Sequence, residues 1–233
     1  MSESIDKVRG VRELPIFPLP LVLFPGVPLP LHIFEERYRR MLADVRASNN
    51  LFGLSYFAPG GAEERPPLGH AGCATEVVEV QQLPDGRSNI LTLGLARYRV
   101  AEYVERGDPY LVARVEFFED EEEDASFVAR RAEEVAEMFM RIARAMRTAN
   151  DERGALPELP GDDPERLSFL VAAVVEMDAE AKQRLLETRS TTGRLRRLYT
   201  LLAQAVTAYE ERARTHEVAR GNGHAGKKID LDE

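Results

Sequence analysis

The chain has 233 residues, of which 44% are apolar, and a formal net charge of −9. These values are typical of a globular protein that is long enough for one large or two small domains. The acidic balance disfavours a protein that binds DNA through its phosphates, because such binding requires a basic surface.

An uncharged stretch from Leu14 to Phe34 is the first feature along the chain. It is long enough to cross a bilayer as a helix, but six prolines interrupt it, and each costs a helix about 3 kcal/mol. We therefore expect no membrane span and no membrane partner. The mixed charges before the stretch and the lack of a small-residue cleavage site disfavour a signal peptide.

Alternation of apolar residues within this stretch predicts two short strands instead of a helix. The alternating runs are residues 19–23 and 27–33, and Pro25-Gly26 between them predicts a turn. Prolines at alternate positions fit edge strands, where the missing N–H faces away from the sheet. A solvated polyproline ligand is the alternative, which the apolar character of the segment disfavours.

The residues that follow predict a small antiparallel barrel or rolled sheet with one helix. Apolar residues after Phe34 recur at helical spacing up to about Asn50. Pro84-Asp85-Gly86 predicts a hairpin turn, and a change of phase near Gly94 predicts a bulge. Further strands are predicted over residues 51–57, 74–83, 87–100 and 110–118.

The second half of the sequence predicts helices. Its six acids at 119–124 are expected to form a solvated connector. Asp163, which precedes Pro164, and Asp178 are expected to cap two helices, and a last helix covers about 194–213. The predicted organisation is an N-terminal tail (1–12), a β-rich barrel (13–120), a helical subdomain (121–215) and a disordered polar tail (216–233).

No arrangement of residues indicates catalysis, and no motif indicates a cofactor. The single cysteine, Cys73, precludes an internal disulfide and is expected to be a small buried apolar residue. Together with the missing signal peptide, it predicts a cytoplasmic protein. The four histidines show no ligand spacing, so we expect no metal site. In the absence of such motifs, we expect a binding role.

Several motifs, in the same order, resemble those of the Lon protease N-terminal, substrate-binding domain. The opening block LPIFPLPLVLFPGVPLPLHIFEERYRRML is the most specific of them. The others are FGL (52–54), GC (72–73), LPDGR (83–87), Gly94, RYRV (97–100), PY (109–110), LSFLVAAVV (167–175), KQRLLE (182–187) and RLRRLYTLL (194–202). The resemblance covers roughly residues 12 to 205.

This resemblance implies an α+β fold, in which a PUA-like, β-barrel-like subdomain with one helix precedes a C-terminal helical bundle subdomain. It also implies recognition of unfolded or tagged protein segments, or of a partner protein. In the protease, an ATPase module and a Ser/Lys peptidase follow this region. The sequence ends at Glu233 without either module. We therefore expect a stand-alone, non-enzymatic binding module that needs no cofactor.

Strand positions place a candidate peptide-contact surface at Pro25, Gly26, Phe52, Tyr56 and Tyr98. Packing in the core or at its rim is the competing interpretation for the aromatic residues among them, and for Phe57 and Tyr110.

The PUA-like fold also admits RNA or a small ligand as the binding partner. The RNA alternative requires a cluster of Arg37, Arg40, Arg97 and Arg99. A small-molecule enzyme, which would need a deep pocket, is a third interpretation. The apolar stripe of the last helix is compatible with a weak self-association and equally with packing inside its own helical subdomain.

Overall fold

A computed structural model describes residues 3–58, 65–151 and 154–223. Six strands and six helices are found there. The strands are β1 (Glu13–Leu19), β2 (Pro28–Ile33), β3 (Leu51–Tyr56), β4 (Ala71–Gln82), β5 (Ser88–Tyr103) and β6 (Leu111–Phe118). The helices are α1 (Glu3–Val8), α2 (Glu36–Arg46), α3 (Ala125–Ala149), α4 (Pro164–Val174), α5 (Ala179–Glu187) and α6 (Thr191–Gly223).

The strands form one sheet that closes on itself. Their order is β2-β5-β4-β3-β1-β6, and β5 also pairs with β6, so that every strand except β2 belongs to a closed ring. β5 makes both pairings because its 16 residues offer one part to β2 and another to β6. The predicted α+β class and barrel are confirmed. The barrel is not wholly antiparallel, because β1 runs parallel to β3.

A bulge in β5 brings the connection between β1 and β2 close to the sheet. Thr75 faces Gly94 and Ala74 faces Ala96, so Leu95 is the extra residue and the predicted bulge is confirmed. The Gly94 amide donates to the Val27 carbonyl at 3.0 Å. A Cβ at Gly94 would collide with the Phe24 carbonyl. Glycine therefore permits this close backbone approach.

The two proline-containing strands are not paired with each other, although the turn between them forms as predicted. Gly26 adopts a φ of 76°, but β1 pairs with β3 and β6, whereas β2 pairs with β5. The first strand also ends at Leu19, so the predicted strand over 19–23 is wrong. The connecting residues Leu23 and Phe24 are buried in the core instead.

The chain divides into two compact units: Met1–Glu122 with Ser168–Thr191, and Glu123–Leu167 with Thr192–Glu233. This division differs from the predicted barrel (13–120) and helical subdomain (121–215), because residues 168–191 belong to the unit that contains the sheet. Within the first unit, the Gln183 amide donates to the Ala71 carbonyl at 2.9 Å. The Phe169 ring lies 6.0 Å from that of Phe24, centroid to centroid.

Both predicted tails contain helix. Residues 3–8 form α1, whose Val8 is 3% exposed and belongs to the barrel core. Residues 216–223 continue α6 instead of being disordered, and residues 224–233 lie outside the described residues. Within the described part of the chain, no helix has both the length and the apolarity needed to cross a membrane.

In the second unit, α3 and α6 run parallel to each other. Glu123 accepts a hydrogen bond from the Thr192 amide, and further along both helices Arg141 forms a bidentate ion pair with Glu210 at 2.9 and 3.1 Å. The predicted helix caps are confirmed: Asp163 accepts from the Arg166 amide, and in the first unit Asp178 accepts from the Ala181 amide.

Candidate functional site

The structure does not bring the predicted contact residues together on the surface. Phe52 and Tyr98 are 1% and 0% exposed and belong to the core, so they cannot contact a peptide. Pro25, Gly26 and Tyr56 are half-buried. Tyr98 is accommodated because glycines occupy positions 53 and 72, where a Cβ would collide with its ring. The sequence alternation indicated strand positions but not which face the barrel would enclose.

The arginine cluster that RNA binding would require is not formed. Arg97 is 2% exposed and paired with Asp120 at 2.5 Å. Arg37 and Arg40 form ion pairs with Glu35 and Asp44, and each of these arginines is therefore neutralised locally.

Arg97 instead links residues 168–191 to the barrel through hydrogen bonds. Its guanidinium donates to the carbonyls of Leu186 and Thr188, at 3.0 and 2.7 Å, as well as to Asp120. The rings of Phe118 and Phe169 lie 4.6 and 5.1 Å from the same group. A planar fork with five N–H donors suits such a set of acceptors. This arginine is a structural residue.

Cys73 is fully buried, as predicted, and burial raises the pKa of its thiol to about 12. We expect a disulfide reagent at pH 8 to leave Cys73 unmodified in the folded protein and to modify it fully in urea, because the thiolate is the reactive form. The folded pKa lies above the unfolded one, so this group's contribution to stability falls as the pH rises towards 12. Rapid labelling of the folded protein would contradict this assignment.

A cleft of about 1350 Å³ lies on the first unit, and it is the candidate functional site. Five parts of the chain form it: the end of β1, the start of α2, the end of β3, residues 65–68 and residues 102–111. Its lining is rich in rings and prolines: Pro18, Tyr38, Phe57, Pro66, Pro67, Tyr103, Pro109 and Tyr110. Leu68 adds an apolar side chain that is 64% exposed.

Hydrogen bonds hold the wall at residues 65–70 against β5. The Tyr103 hydroxyl donates to the Pro66 carbonyl at 2.8 Å, and the Gly69 amide donates to the Val100 carbonyl at 2.7 Å. The Arg65 guanidinium lies 4.4 Å from the centroid of the Tyr103 ring. This wall is therefore arranged before any ligand arrives.

The tyrosines of the cleft are neutral hydrogen-bond donors at physiological pH. Burial raises the pKa of Tyr103 to about 12. Burial, followed by the hydrogen bond to Asp44, raises the pKa of Tyr110 to about 12 as well. Both hydroxyls already have acceptors: Tyr103 donates to the Pro66 carbonyl, and Tyr110 donates to Asp44 at 2.9 Å. Both hydroxyls are therefore engaged within the protein, and Arg65 also covers one face of the Tyr103 ring.

Charges of both signs border these rings. Arg37 and Arg65 contribute positive charge, whereas Glu102, Glu105 and Asp108 contribute negative charge. Such a lining can accommodate an apolar chain with polar groups along it. Among the lining residues that the structure describes, none is a Ser, Thr, Cys, Lys or His. In the described ranges, no group of three or more His, Cys, Asp or Glu side chains could hold a metal ion.

Sequence reasoning found part of this lining and missed the rest. Phe57 and Tyr110 were expected in a groove or at a core rim, and both line the cleft. Tyr103 and Leu68 were missed, because they come from segments far apart in sequence. The Pro66-Pro67 and Pro109-Tyr110 pairs were the only local signals of rigid, partly apolar loops.

The sequence matches a known protein family over most of its length. The family model described as the ATP-dependent protease La (LON) substrate-binding domain matches residues 13–204. The chain belongs to the Lon substrate-binding domain family. The range predicted from the motifs, roughly 12 to 205, agrees with this match.

Curated relatives of this Lon substrate-binding domain are Lon proteases. Lon protease 2 of Herpetosiphon aurantiacus is 27% identical over 89% of this chain and 26% of that protein. Lon protease 2 of Myxococcus xanthus is 29% identical over 85% of this chain and 24% of that protein. The chain thus spans about a quarter of the length of these relatives.

Solved structures confirm the fold of the Lon domain. A Lon N-terminal domain protein from Xanthomonas campestris has a TM-score of 0.60 and 21% identity, and covers 82% of this chain and 98% of its own. The N-terminal domain of Lon protease from the Mycobacterium avium complex has a TM-score of 0.64 and 17% identity, with the same coverages.

Proposed function

We propose that this Lon substrate-binding domain binds extended segments of unfolded or tagged proteins in the cleft of its barrel unit. The observation that carries the proposal is the lining of aromatic rings and prolines, with the exposed Leu68 among them, around one large cleft. Ligand pockets for small molecules are about 300–1,000 Å³, and the cleft, at about 1350 Å³, exceeds that range.

Rigidity of the lining favours such binding. Prolines and hydrogen-bonded tyrosines lose little conformational freedom when a segment docks, so less binding free energy is spent on ordering the site. Each apolar side chain that leaves water in the cleft contributes about 1.5–3 kcal/mol. Several weak contacts of this kind give recognition without a strict sequence motif.

Binding without catalysis is the role that we propose for this chain, in the cytoplasm, where the lone Cys73 stays a thiol. The family is named for substrate binding, and the curated relatives named here are proteases. We therefore propose that the bound segments are proteins destined for proteolysis.

Replacement of Leu68 by serine tests the cleft directly. We expect the affinity for a labelled, permanently unfolded polypeptide to fall about tenfold, because the leucine can no longer be buried against the ligand. Fluorescence anisotropy titration measures this affinity, with the folded parent of that polypeptide as the negative control. Stability should change little, since Leu68 is 64% exposed.

The matched control is Phe34→Ser, which removes another exposed apolar side chain, 59% exposed, that does not line the cleft. Its affinity should equal that of the unchanged protein. If Leu68→Ser binds as tightly as Phe34→Ser, or if the unchanged protein does not distinguish the unfolded polypeptide from its folded parent, the proposed function is wrong.

A further inference from the structure

A second, smaller cavity lies between α2 and the turn that joins β4 to β5. Its volume is about 560 Å³, and we call it the arginine notch. It is lined by Arg39, Leu42, Ala43, Arg46, Val80, Gln82, Gly86 and Ser88. None of these eight residues is acidic, although the chain contains 40 Asp and Glu residues. Guanidinium, amide and hydroxyl groups supply N–H and O–H donors to the lining.

The two arginines of the notch lack the ion pairs that neutralise their neighbours. On the same helix, Arg37 and Arg40 are paired with Glu35 and Asp44. Among the described residues, Arg39 has no carboxylate partner and Arg46 donates only to the amide oxygen of Asn50, at 3.1 Å. Their positive charge is therefore available to a ligand.

Helix geometry and the hairpin turn direct both arginines to one place. Residues seven apart lie on the same face of an α-helix, about 10 Å apart along its axis. The Arg39 guanidinium lies against Gly86, where a Cβ would collide with it. Val80, Gln82 and Ser88 complete the opposite side. Leu42, which is 8% exposed, and Val80 give the notch an apolar part.

We propose that the arginine notch binds an oxyanion, a carboxylate or a phosphate, carried by a ligand whose apolar group packs on Leu42 and Val80. Charge-assisted and bidentate hydrogen bonds from guanidinium groups suit these anions. A polypeptide C-terminus with an apolar last residue has this chemistry, and a small oxyanion such as phosphate shares its charged part. The site is separate from the cleft and does not depend on the function proposed for it.

Nuclear magnetic resonance of the whole chain tests the site with inorganic phosphate as the probe. At constant ionic strength, phosphate should cause saturable shifts of the Gly86 and Ser88 backbone amides. In the double variant Arg39→Gln/Arg46→Gln the affinity should fall at least tenfold, because hydrogen bonds to charged groups are lost. The control, Arg130→Gln/Arg144→Gln, removes two exposed arginines of α3 and the same net charge, and should retain the shifts.

Two short leucine peptides, one with a free C-terminal carboxylate and one with a C-terminal amide, identify the source of the anion. The acid should bind at least tenfold more tightly than the amide, and only while Arg39 and Arg46 are present. Tighter binding of the acid than of phosphate supports a polypeptide terminus as the ligand, whereas equal binding supports a free oxyanion.

Three results would overturn the proposal. The first is the absence of saturable phosphate shifts at Gly86 and Ser88. The second is an equal loss of affinity in the Arg130/Arg144 control, which would mean that only overall charge matters. The third is equal binding of the acid and the amide.

Discussion

Replacement of Arg97 by methionine is expected to lower the free energy of unfolding of the barrel unit by about 3–5 kcal/mol. Methionine retains the apolar contacts of the side chain with Phe118 and Phe169, but it leaves Asp120 buried without its guanidinium. It also leaves the carbonyls of Leu186 and Thr188 without that donor. A buried acceptor that loses its donor costs about 1–3 kcal/mol.

Urea unfolding followed by tyrosine fluorescence measures this change. The chain contains no tryptophan, and five of its seven tyrosines, at positions 38, 56, 98, 103 and 110, belong to the first unit. The signal therefore reports mainly on the barrel.

The matched control for this measurement is Arg114→Met. Arg114 pairs with Glu102 at 2.6 Å on the surface, where its side chain is 57% exposed. A surface pair of this kind contributes about 0–1 kcal/mol, so the control should unfold almost like the unchanged protein. Similar small losses in both variants would mean that Arg97 does not fasten residues 168–191 to the barrel.

Replacement of Tyr98 by alanine is expected to lower the free energy of unfolding of the barrel unit by about 3–5 kcal/mol. The ring fills the space above Gly53 and Gly72, and alanine would leave a cavity there that backbone strands cannot easily close. Burial raises the pKa of the Tyr98 hydroxyl, which forms a hydrogen bond with the buried Ser55 at 2.8 Å. Urea unfolding is again the measurement.

Tyr98→Phe separates the ring from the hydroxyl. Only the hydrogen bond to Ser55 is lost, but Ser55 is buried, so we expect a cost of about 1–3 kcal/mol. Neither variant should change the affinity for an unfolded polypeptide under conditions where it remains folded. A stable Tyr98→Ala protein that no longer binds the polypeptide would instead support Tyr98 as a contact residue, as the sequence had suggested.

Local patterns in the sequence predicted the elements of this fold well. Helical spacing placed Phe34, Tyr38, Met41, Leu42 and Val45 on one face of a helix. The last four are buried on α2, whereas Phe34 precedes the helix and is 59% exposed. The caps at Asp163 and Asp178 were predictable because capping depends on a few neighbouring residues. The bulge near Gly94 was visible as a change of phase within one strand.

Long-range pairing was not predictable in the same way. Nothing near Leu14 indicates that β1 runs parallel to β3 and pairs with β6, since those partners lie far along the chain. The alternation in β5 placed Leu91, Leu93 and Leu95 on one face, yet Leu91 and Leu93 are half-buried, whereas Leu95 and Thr92 are buried. The candidate cleft assembles residues from separate loops, so no single stretch of sequence contains its pattern.

The position of β2 has a consequence for self-assembly. In the described sheet this strand has one neighbour, β5, and a strand with an open side is a template on which another copy can polymerise. Pro28 and Pro30 have no N–H groups, so an incoming chain cannot complete a ladder of hydrogen bonds there. A protein that we propose to meet unfolded chains can thus do so without nucleating fibres at this strand.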